Sequence, residues 1–239
     1  MPRTVAGALL LLMLAGCATP PASLPEPAAP EPDLSEREVQ ARIDFIEERL
    51  EDRQLHAQIW YWGWLTIFTG STIGNSYAAA TTDHGPQRAN GIAQAVLSAS
   101  GIGDALFRPF NARFGAEPIR VLPDATPEDR RQKLARAEAL LRGNAERASE
   151  RTSWQYHLAN AAPNWVAGLI VWAAGDGQKG AMTALTGTLG SEAHIWTEPG
   201  GPVQDWADYQ LFRAGHLQEV AGGWQIVPAL GGVTVRYRF

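Results

Sequence analysis

The residues of this chain that could carry out acid–base or metal chemistry lie closest together at Glu192, His194 and Glu198. Imidazole and carboxylate groups bind zinc and exchange protons near neutral pH. Metal-binding helices, however, usually place two histidines three or four residues apart, and no two histidines here have that spacing. Glu192 and His194 are therefore weak candidates for a metal or acid–base site. The simpler interpretation is a helix end, with His194 favoured by the helix dipole and Glu192 in solvent.

No other set of residues predicts catalysis. The chain has no local motif for a Ser/His/Asp or Cys/His nucleophile, and its single cysteine, Cys17, lies near the N-terminus. The run Gly175-Asp176-Gly177 is typical of a turn rather than of a phosphate-binding loop, because no strand precedes it. Asp83-His84 and Asp176 are predicted to be helix N-caps. The sequence thus predicts a protein that is not an enzyme and that uses no cofactor.

The elements that carry these residues are predicted to be helices arranged as two similar hairpins. Residues 57–82 contain no charged side chain; a charged amphipathic run precedes them and a turn at Asp83 follows. The same order returns later in the chain, and a shift of 93 residues aligns Asp83 with Asp176. We predict a mainly α fold in which duplicated αα-hairpins, 33–122 and 123–203, form a helical bundle. Two hairpins that are alike by chance are the alternative.

The uncharged stretch 57–82 is long enough to span a membrane, which takes about 20 apolar residues. Its serine, threonine and asparagine residues dilute the aliphatic ones, so we predict a buried helix of the bundle, with a membrane-embedded helix as the alternative. Small residues four apart would let two antiparallel helices approach closely: Gly70, Gly74 and Ala78 facing Gly91, Ala95, Ala99 and Gly103. The aromatic residues of the uncharged segments are candidates for lining an apolar cavity instead of a packed core: Trp60, Trp62, Trp64, Phe68, Trp165 and Trp172.

The N-terminus has the pattern of an exported protein. Arg3 supplies a positive charge and residues 5–14 form an apolar run. The tetrapeptide Leu14-Ala15-Gly16-Cys17 resembles the lipobox of bacterial lipoproteins, in which the cysteine is lipidated and becomes the first residue of the mature chain. The resemblance implies a signal peptide over 1–16 and lipidation of Cys17. An ordinary cleaved signal peptide with a chance cysteine is the alternative.

The resemblance also implies an address. Ala18 follows the cysteine, where the inner-membrane retention signal of such lipoproteins usually has Asp, so we expect an outer-membrane anchor that faces the periplasm. Residues 17–32 are the lipidated cysteine and a proline-rich tether, which at about 3.1 Å per residue would reach about 45 Å. The membrane is then a partner through the anchor, and another envelope protein or a lipid is the expected ligand. A formal charge of −5 without a basic stripe excludes nucleic acid as an expected partner.

The C-terminal part, 204–239, is predicted to be a short helix followed by a β-hairpin. In its last strand Val233, Val235, Tyr237 and Phe239 alternate with polar residues, so we expect them to cover the helical bundle. The same alternation, ending in an aromatic residue, resembles the terminal strand of outer-membrane β-barrels. That resemblance implies an alternative in which several subunits share one barrel, because two or three strands cannot close a barrel alone.

Three functional hypotheses follow. Residues 190–199 resemble a stretch of uncharacterised exported proteins of proteobacteria, a resemblance that implies an address and no activity. The first hypothesis is an outer-membrane-anchored periplasmic lipoprotein with a non-enzymatic structural or interaction role in the envelope. The second is a carrier of lipid or of a small apolar ligand, held among the aromatic residues. The third is a metal or acid–base enzyme around Glu192 and His194.

Overall fold

The computed structural model describes residues 34–108, 110–214, 223–229 and 232–238. The prediction of a mainly helical bundle is confirmed for these residues. The long helices are α1 (Glu36–Thr81), α2 (Gly85–Phe107), α3 (Pro127–Arg151), α4 (Trp154–Ala173), α5 (Gly177–Trp196) and α6 (Gly201–Arg213). A 3-10 turn, Asn111–Phe114, and a one-turn helix, Glu117–Arg120, join α2 to α3. The signal peptide, Cys17 and the tether lie outside the described residues.

Two strands follow the helices. β1 (Gly223–Ala229) and β2 (Gly232–Arg238) pair antiparallel, with Ile226 opposite Val235. The packing of their apolar face on the helices concerns side chains outside the described part of the chain and stays a prediction. Phe239 also lies outside the described residues, so the shared-barrel alternative stays a prediction.

Side-chain caps fix where several helices begin. Ser35, Thr126 and Asp176 each accept a hydrogen bond from the backbone N–H three residues on, at 3.2, 3.1 and 2.8 Å. The N-cap predicted at Asp176 is therefore confirmed. The one predicted at Asp83-His84 is confirmed in position only: His84 is the N-cap residue of α2, but its side chain makes no capping bond, and Asp83 is fully exposed. A cap is dispensable there because Pro at the start of α2 has no N–H to satisfy.

The charged part of the second hairpin is divided between two helices, whereas that of the first hairpin belongs to one continuous helix. The pair Gly143-Asn144 is typical of a helix end or bend, but α3 runs through it to Arg151. The break comes afterwards, where Ser153 caps α4 by accepting the N–H of Tyr156 at 3.3 Å. In the first hairpin no such cap interrupts α1, which is 46 residues long.

The first half of α1 packs with α3 and α6 to form what we call the base of the molecule. Its apolar core is made of residues recurring at helical spacing: Val39, Ile43, Ile46, Leu50, Ala116, Ile119, Leu134, Ala137, Leu140, Leu141 and Tyr209. Arg53 of α1 donates two hydrogen bonds, at 2.8 and 2.9 Å, to the buried carboxylate of Asp205 in α6. Apolar burial and this bidentate ion pair together hold α6 against α1.

The second half of α1 (residues 62–81), α2, α4 and α5 form what we call the head. Here α1 packs on α2, α4 packs on α5, and α2 joins the two hairpins by packing on α4. The hairpins close tightly at glycines: a Cβ on Gly168 would lie 2.6 Å from the carbonyl oxygen of Gly180, and one on Gly91 would lie 2.9 Å from that of Asn75. The prediction that Gly91 allows a close helix contact is confirmed, whereas Gly103, predicted on the same ridge, has no atom within 4 Å of where a Cβ would stand.

The prediction that the uncharged half of α1 is buried is wrong. None of residues 62–81 is fully buried, and Ile73 and Tyr77 are 66% and 71% exposed. Gly70 and Gly74, expected to face α2, have no atom within 4 Å of where a Cβ would stand. The reason is that α4 packs on α2 and not on α1, which leaves one side of α1 without a neighbouring helix. None of the described helices has the length and apolar content needed to cross a membrane.

Candidate functional site

The candidate cluster Glu192, His194 and Glu198 is not assembled into one site. Glu192 binds His157 instead, with 2.6 Å between Oε2 and Nδ1, and Glu198 pairs with Arg147 at 3.1 Å. Glu192 and His194 diverge because residues two apart on a helix do not face each other, and Glu198 lies beyond the end of α5. The expectation that Glu192 points into solvent is wrong as well, since its side chain is 15% exposed and bonded. The described residues include no group of three His, Cys, Asp or Glu side chains able to hold a metal ion.

His194 is instead enclosed by aromatic rings where α5 meets α1. Its ring stacks on that of Trp60, with centroids 4.7 Å apart and planes 14° apart. Trp64 and Phe68 contact it edge-on at 5.0 and 5.2 Å. Burial in this cage, followed by the positive charge of Arg151, lowers the pKa of His194 to about 3. The ring is therefore neutral at physiological pH and acts as a packing group.

Two indole N–H groups complete this contact, which we call the aromatic clamp. Trp60 Nε1 donates to the carbonyl oxygen of His194 at 3.2 Å, and Trp64 Nε1 donates to Thr197 Oγ1 at 3.0 Å. Both bonds reach carbonyl or hydroxyl groups at the C-terminal end of α5, where helix carbonyls lack intrahelical partners. The clamp thus ties the end of the second hairpin to the middle of α1.

A charge network lies directly beside the clamp. Arg151 of α3 donates to Asp104 of α2 at 2.7 Å and lies 3.3 Å from Glu198, after the end of α5. Arg147 reaches the same Glu198 at 3.1 Å, and Arg108 approaches Asp104 at 3.7 Å. The side chains of Arg151 and Glu198 are both 4% exposed. The network therefore joins the base, through α3, to both hairpins of the head.

The electrostatics of the network favour its ionised form. Burial opposes the negative charge of Asp104, but the charges of Arg151 and Arg147 outweigh burial and hold the pKa of that carboxyl below its usual value. Burial also disfavours the charge of Arg151, and the charges of Glu198 and Asp104 outweigh it, so that its pKa is raised. Burial and the like charge of Arg151 lower the pKa of Arg147, and its pairing with Glu198 opposes that shift. The arrangement is suited to holding helices in place.

A small cleft opens between the clamp and the network. Trp60, Trp64, Phe68 and His194 line one side, and Asp104 and Arg147 belong to the other. The cleft has room for about one water molecule. Pockets for drug-sized ligands measure about 300–1,000 Å³, so this cleft cannot hold a lipid or a comparable apolar ligand.

The six aromatic residues proposed to line a cavity do not enclose a common space. Trp60, Trp64 and Phe68 border the cleft and belong to the aromatic clamp. Trp62, Trp165 and Trp172 are exposed on the outside of the head. Neighbouring positions on α1 therefore divide between an inner and an outer side, as the helical period requires.

The outer side of α1 is a feature that the sequence analysis missed. Apolar, glycine and threonine residues share one side of the helix, and all of them are exposed. We call this set the outer face of α1: Ile59, Trp62, Gly63, Thr66, Ile67, Thr69, Gly70, Ile73, Gly74 and Tyr77. The face carries no charge, because residues 57–82 contain none. Monomeric soluble proteins rarely expose contiguous apolar patches of more than a few hundred Å², so we regard this face as the candidate interaction site.

Comparison with protein-family models, with curated proteins and with solved structures found no match for this chain.

One sequence signal could have revealed the charge network. Asp104 is the only charged residue of α2 after Arg88, and the other residues of 95–107 are small or apolar. A charge in such a setting requires a partner when its surroundings are buried. Its partner, Arg151, lies 47 positions away on another helix, so the pairing itself could not be read from spacing.

Proposed function

We propose that this protein is a lipoprotein anchored in the outer membrane and facing the periplasm, with a non-enzymatic interaction role. The outer face of α1 is the surface that binds another component of the envelope. The anchor is supported by the lipobox resemblance around Cys17. The interaction role is supported by one observation above all, the exposure of an uncharged, tryptophan-containing side of a helix.

The composition of the outer face fits a binding surface. Exposed apolar residues that are scattered singly are ordinary in folded proteins. Here Trp62, Ile73 and Tyr77 lie along one side of one helix, with no charged residue between them. Tryptophan and tyrosine are enriched at the centres of protein interfaces, whereas lysine and glutamate are depleted. The face therefore resembles an interface core more than a solvated surface.

The aromatic clamp and the charge network would keep this face in a fixed orientation. The clamp joins α1 to α5 through Trp60 and His194, and the network joins α3 to the head through Arg151. A surface that is already rigid loses less conformational entropy on binding. The two features thus have a role in the same function without any chemistry of their own.

We also infer that the two hairpins of the head arose by duplication. At the shift of 93 residues, Gly91 corresponds to Ala184 and Asn75 corresponds to Gly168. Gly91 lies against Asn75 in the first hairpin, and Ala184 lies against Gly168 in the second. A close helix contact therefore occurs at equivalent positions in the two hairpins, which supports a common origin.

The anchor is tested by labelling cells with radioactive palmitate. The wild-type chain is expected to incorporate label and to fractionate with outer membrane, whereas Cys17→Ser is expected to do neither. A Cys17→Ser chain that still fractionates with outer membrane would refute the lipid anchor.

The interaction role is tested by photo-crosslinking in intact cells. A benzophenone amino acid in place of Tyr77, on the outer face, is expected to form covalent adducts. The same amino acid in place of Val121, which is equally exposed at 68% but lies on the base, is the matched control and is expected to form none. Equal adduct yields at the two positions would contradict a binding role for the outer face.

A further inference from the structure

We propose that the outer face of α1 binds the same face of a second copy of this chain, so that two anchored copies pair through α1. The inference rests on the proposed function and names its partner. It follows from the size of the face, from its lack of charge and from the way in which its polar groups are bonded.

The size of the face is close to what a dimer needs. An aromatic side chain has about 150–250 Å² of surface, so the exposed parts of Trp62 and Tyr77 provide on the order of 250 Å². The exposed isoleucines of the face bring this to on the order of 500 Å² per copy. A symmetric pairing would then bury about 1,000 Å² of apolar surface, before the glycine and threonine positions are counted. Specific interfaces bury at least about 1,200 Å² in total, so the face approaches that size from its apolar side chains alone.

The lack of charge favours a partner with the identical face. In a two-fold contact the same patch is used twice, so residues near the axis meet their own counterparts. A charged residue at that place would meet a like charge, which costs several kcal/mol when water is excluded. Residues 57–82 contain no charge, so this obstacle is absent along the whole outer face.

The polar groups of the face do not need water or a polar partner. Thr66 Oγ1 donates to the carbonyl oxygen of Trp62 at 2.8 Å, and Thr69 Oγ1 donates to that of Leu65 at 2.7 Å. Their donors remain satisfied when the face is dehydrated. Gly63, Gly70 and Gly74 have no atom near the Cβ position, so a second helix could approach the backbone of α1 closely. This mixture of small, hydroxyl and large apolar residues favours a packed helix over lipid tails as the occupant.

The chain outside the described residues adds to the argument. If Cys17 is lipidated, the tether of about 45 Å confines every copy to a thin layer beside one membrane. Confinement raises the effective concentration of one copy for another, so a contact of modest size suffices.

The first experiment measures the mass of the full mature chain in density-matched detergent by sedimentation equilibrium. The wild type is expected to be a dimer. Ile73→Glu places two glutamates in the contact and is expected to weaken dimerisation by about 100-fold or more. Ile92→Glu is the matched control, because Ile92 is also exposed but lies on α2, away from the outer face; it is expected to remain dimeric. A wild type that stays monomeric, or equal weakening by both substitutions, would overturn the proposal.

The second experiment locates the contact without disturbing it. Gly70→Cys and Gly190→Cys both place a thiol at an open helix position, on the outer face and on α5 respectively. A short bismaleimide added to intact envelopes is expected to link two copies at Gly70→Cys and not at Gly190→Cys. Linkage of Gly70→Cys to a different protein, and not to itself, would overturn self-association while leaving the interaction role in place. Failure of palmitate labelling would refute the anchor without affecting the sedimentation result.

Discussion

Burial of His194 makes the stability of this protein depend on pH in a way that can be calculated. The pKa of His194 in the folded chain is lowered from 6.5 to about 3 by burial in the aromatic clamp and then by the charge of Arg151. The unfolded chain therefore binds a proton between these values that the folded chain does not bind. Stability contributed by the neutral ring is fully present above about pH 6.5, and it is lost as the pH falls toward 3.

The magnitude follows from the linkage relation. A difference of one pKa unit corresponds to about 1.4 kcal/mol, so from pH 7 to pH 4.5 the contribution of His194 should cost about 2.5 kcal/mol of unfolding free energy. For a chain of this size, that loss lowers the melting temperature by roughly 5–10 °C. Carboxylates titrate near the lower end of the range, so the quantity to measure is the difference between the wild type and a variant without the imidazole.

The assay is urea unfolding of the Cys17→Ser chain at several pH values between 4.5 and 7, with His194→Phe as the variant. Phenylalanine fits a cage made of Trp60, Trp64 and Phe68 and carries no proton. We expect the wild type to lose about 2.5 kcal/mol more than His194→Phe across this range. His56→Phe is the control and should keep the wild-type dependence, because it leaves the buried ring in place. Parallel curves for the wild type and His194→Phe would refute the reasoning.

Three further predictions concern the network and the helix contacts. Arg151→Met removes the cation shared by Asp104 and Glu198 and should cost about 3–5 kcal/mol of unfolding free energy. Arg136→Met, at an exposed position of the same helix, should cost less than about 1 kcal/mol; similar losses in urea unfolding would contradict a central role for the network. Because the pKa of Asp104 is lowered in the folded chain, its contribution is present above about pH 4 and is lost as the pH falls through the folded pKa, so Asp104→Asn should flatten the acid limb of the stability curve. Gly168→Ala should lower the melting temperature, since the added Cβ would meet the Gly180 carbonyl at 2.6 Å, whereas Gly70→Ala should raise or preserve it, since the site is open and alanine favours helix by about 1 kcal/mol; destabilisation by Gly70→Ala in the monomer would show that the position is not open.

The helices and their caps could be predicted from the sequence because both depend on local patterns. The cap at Asp176 is predicted correctly because the capping oxygen and its donor lie within one helical turn. The break at Ser153 is not predicted. Sequence periodicity also shows that residues 57–82 form a helix. It cannot show which side of that helix meets a neighbour, because that depends on where α4 packs, more than 70 residues away. For this reason the predicted contact of Gly70 and Gly74 with α2 is wrong. Of the glycines in the two predicted ridges, Gly91 alone lies in a close contact.

The sequence indicates which residues belong to the candidate site but not how they are arranged in space. The aromatic residues stand out as a group in the sequence. That Trp60 and Trp64 face inward while Trp62 is exposed depends on α5 packing beside α1, which the sequence does not show. The sequence neighbours Glu192 and Glu198 suggest a metal-binding role for His194, and that suggestion is wrong. The residues that surround His194 in space are aromatic, and they come from more than 120 positions earlier in the chain.

The outer face of α1 is energetically unfavourable in the isolated chain. Each glycine in the interior of an exposed helix costs about 1 kcal/mol relative to alanine, and Gly63, Gly70 and Gly74 gain no packing within the chain in return. Exposed Trp62 and Ile73 likewise leave apolar surface in water. In the second hairpin, by contrast, Gly168 and Gly180 lie in close contacts between helices. A second helix against the outer face would offset both costs at once, because it would cover the apolar side chains and use the space above the glycines. The outer face of α1 is thus unfavourable in the monomer and suited to contact with a second copy.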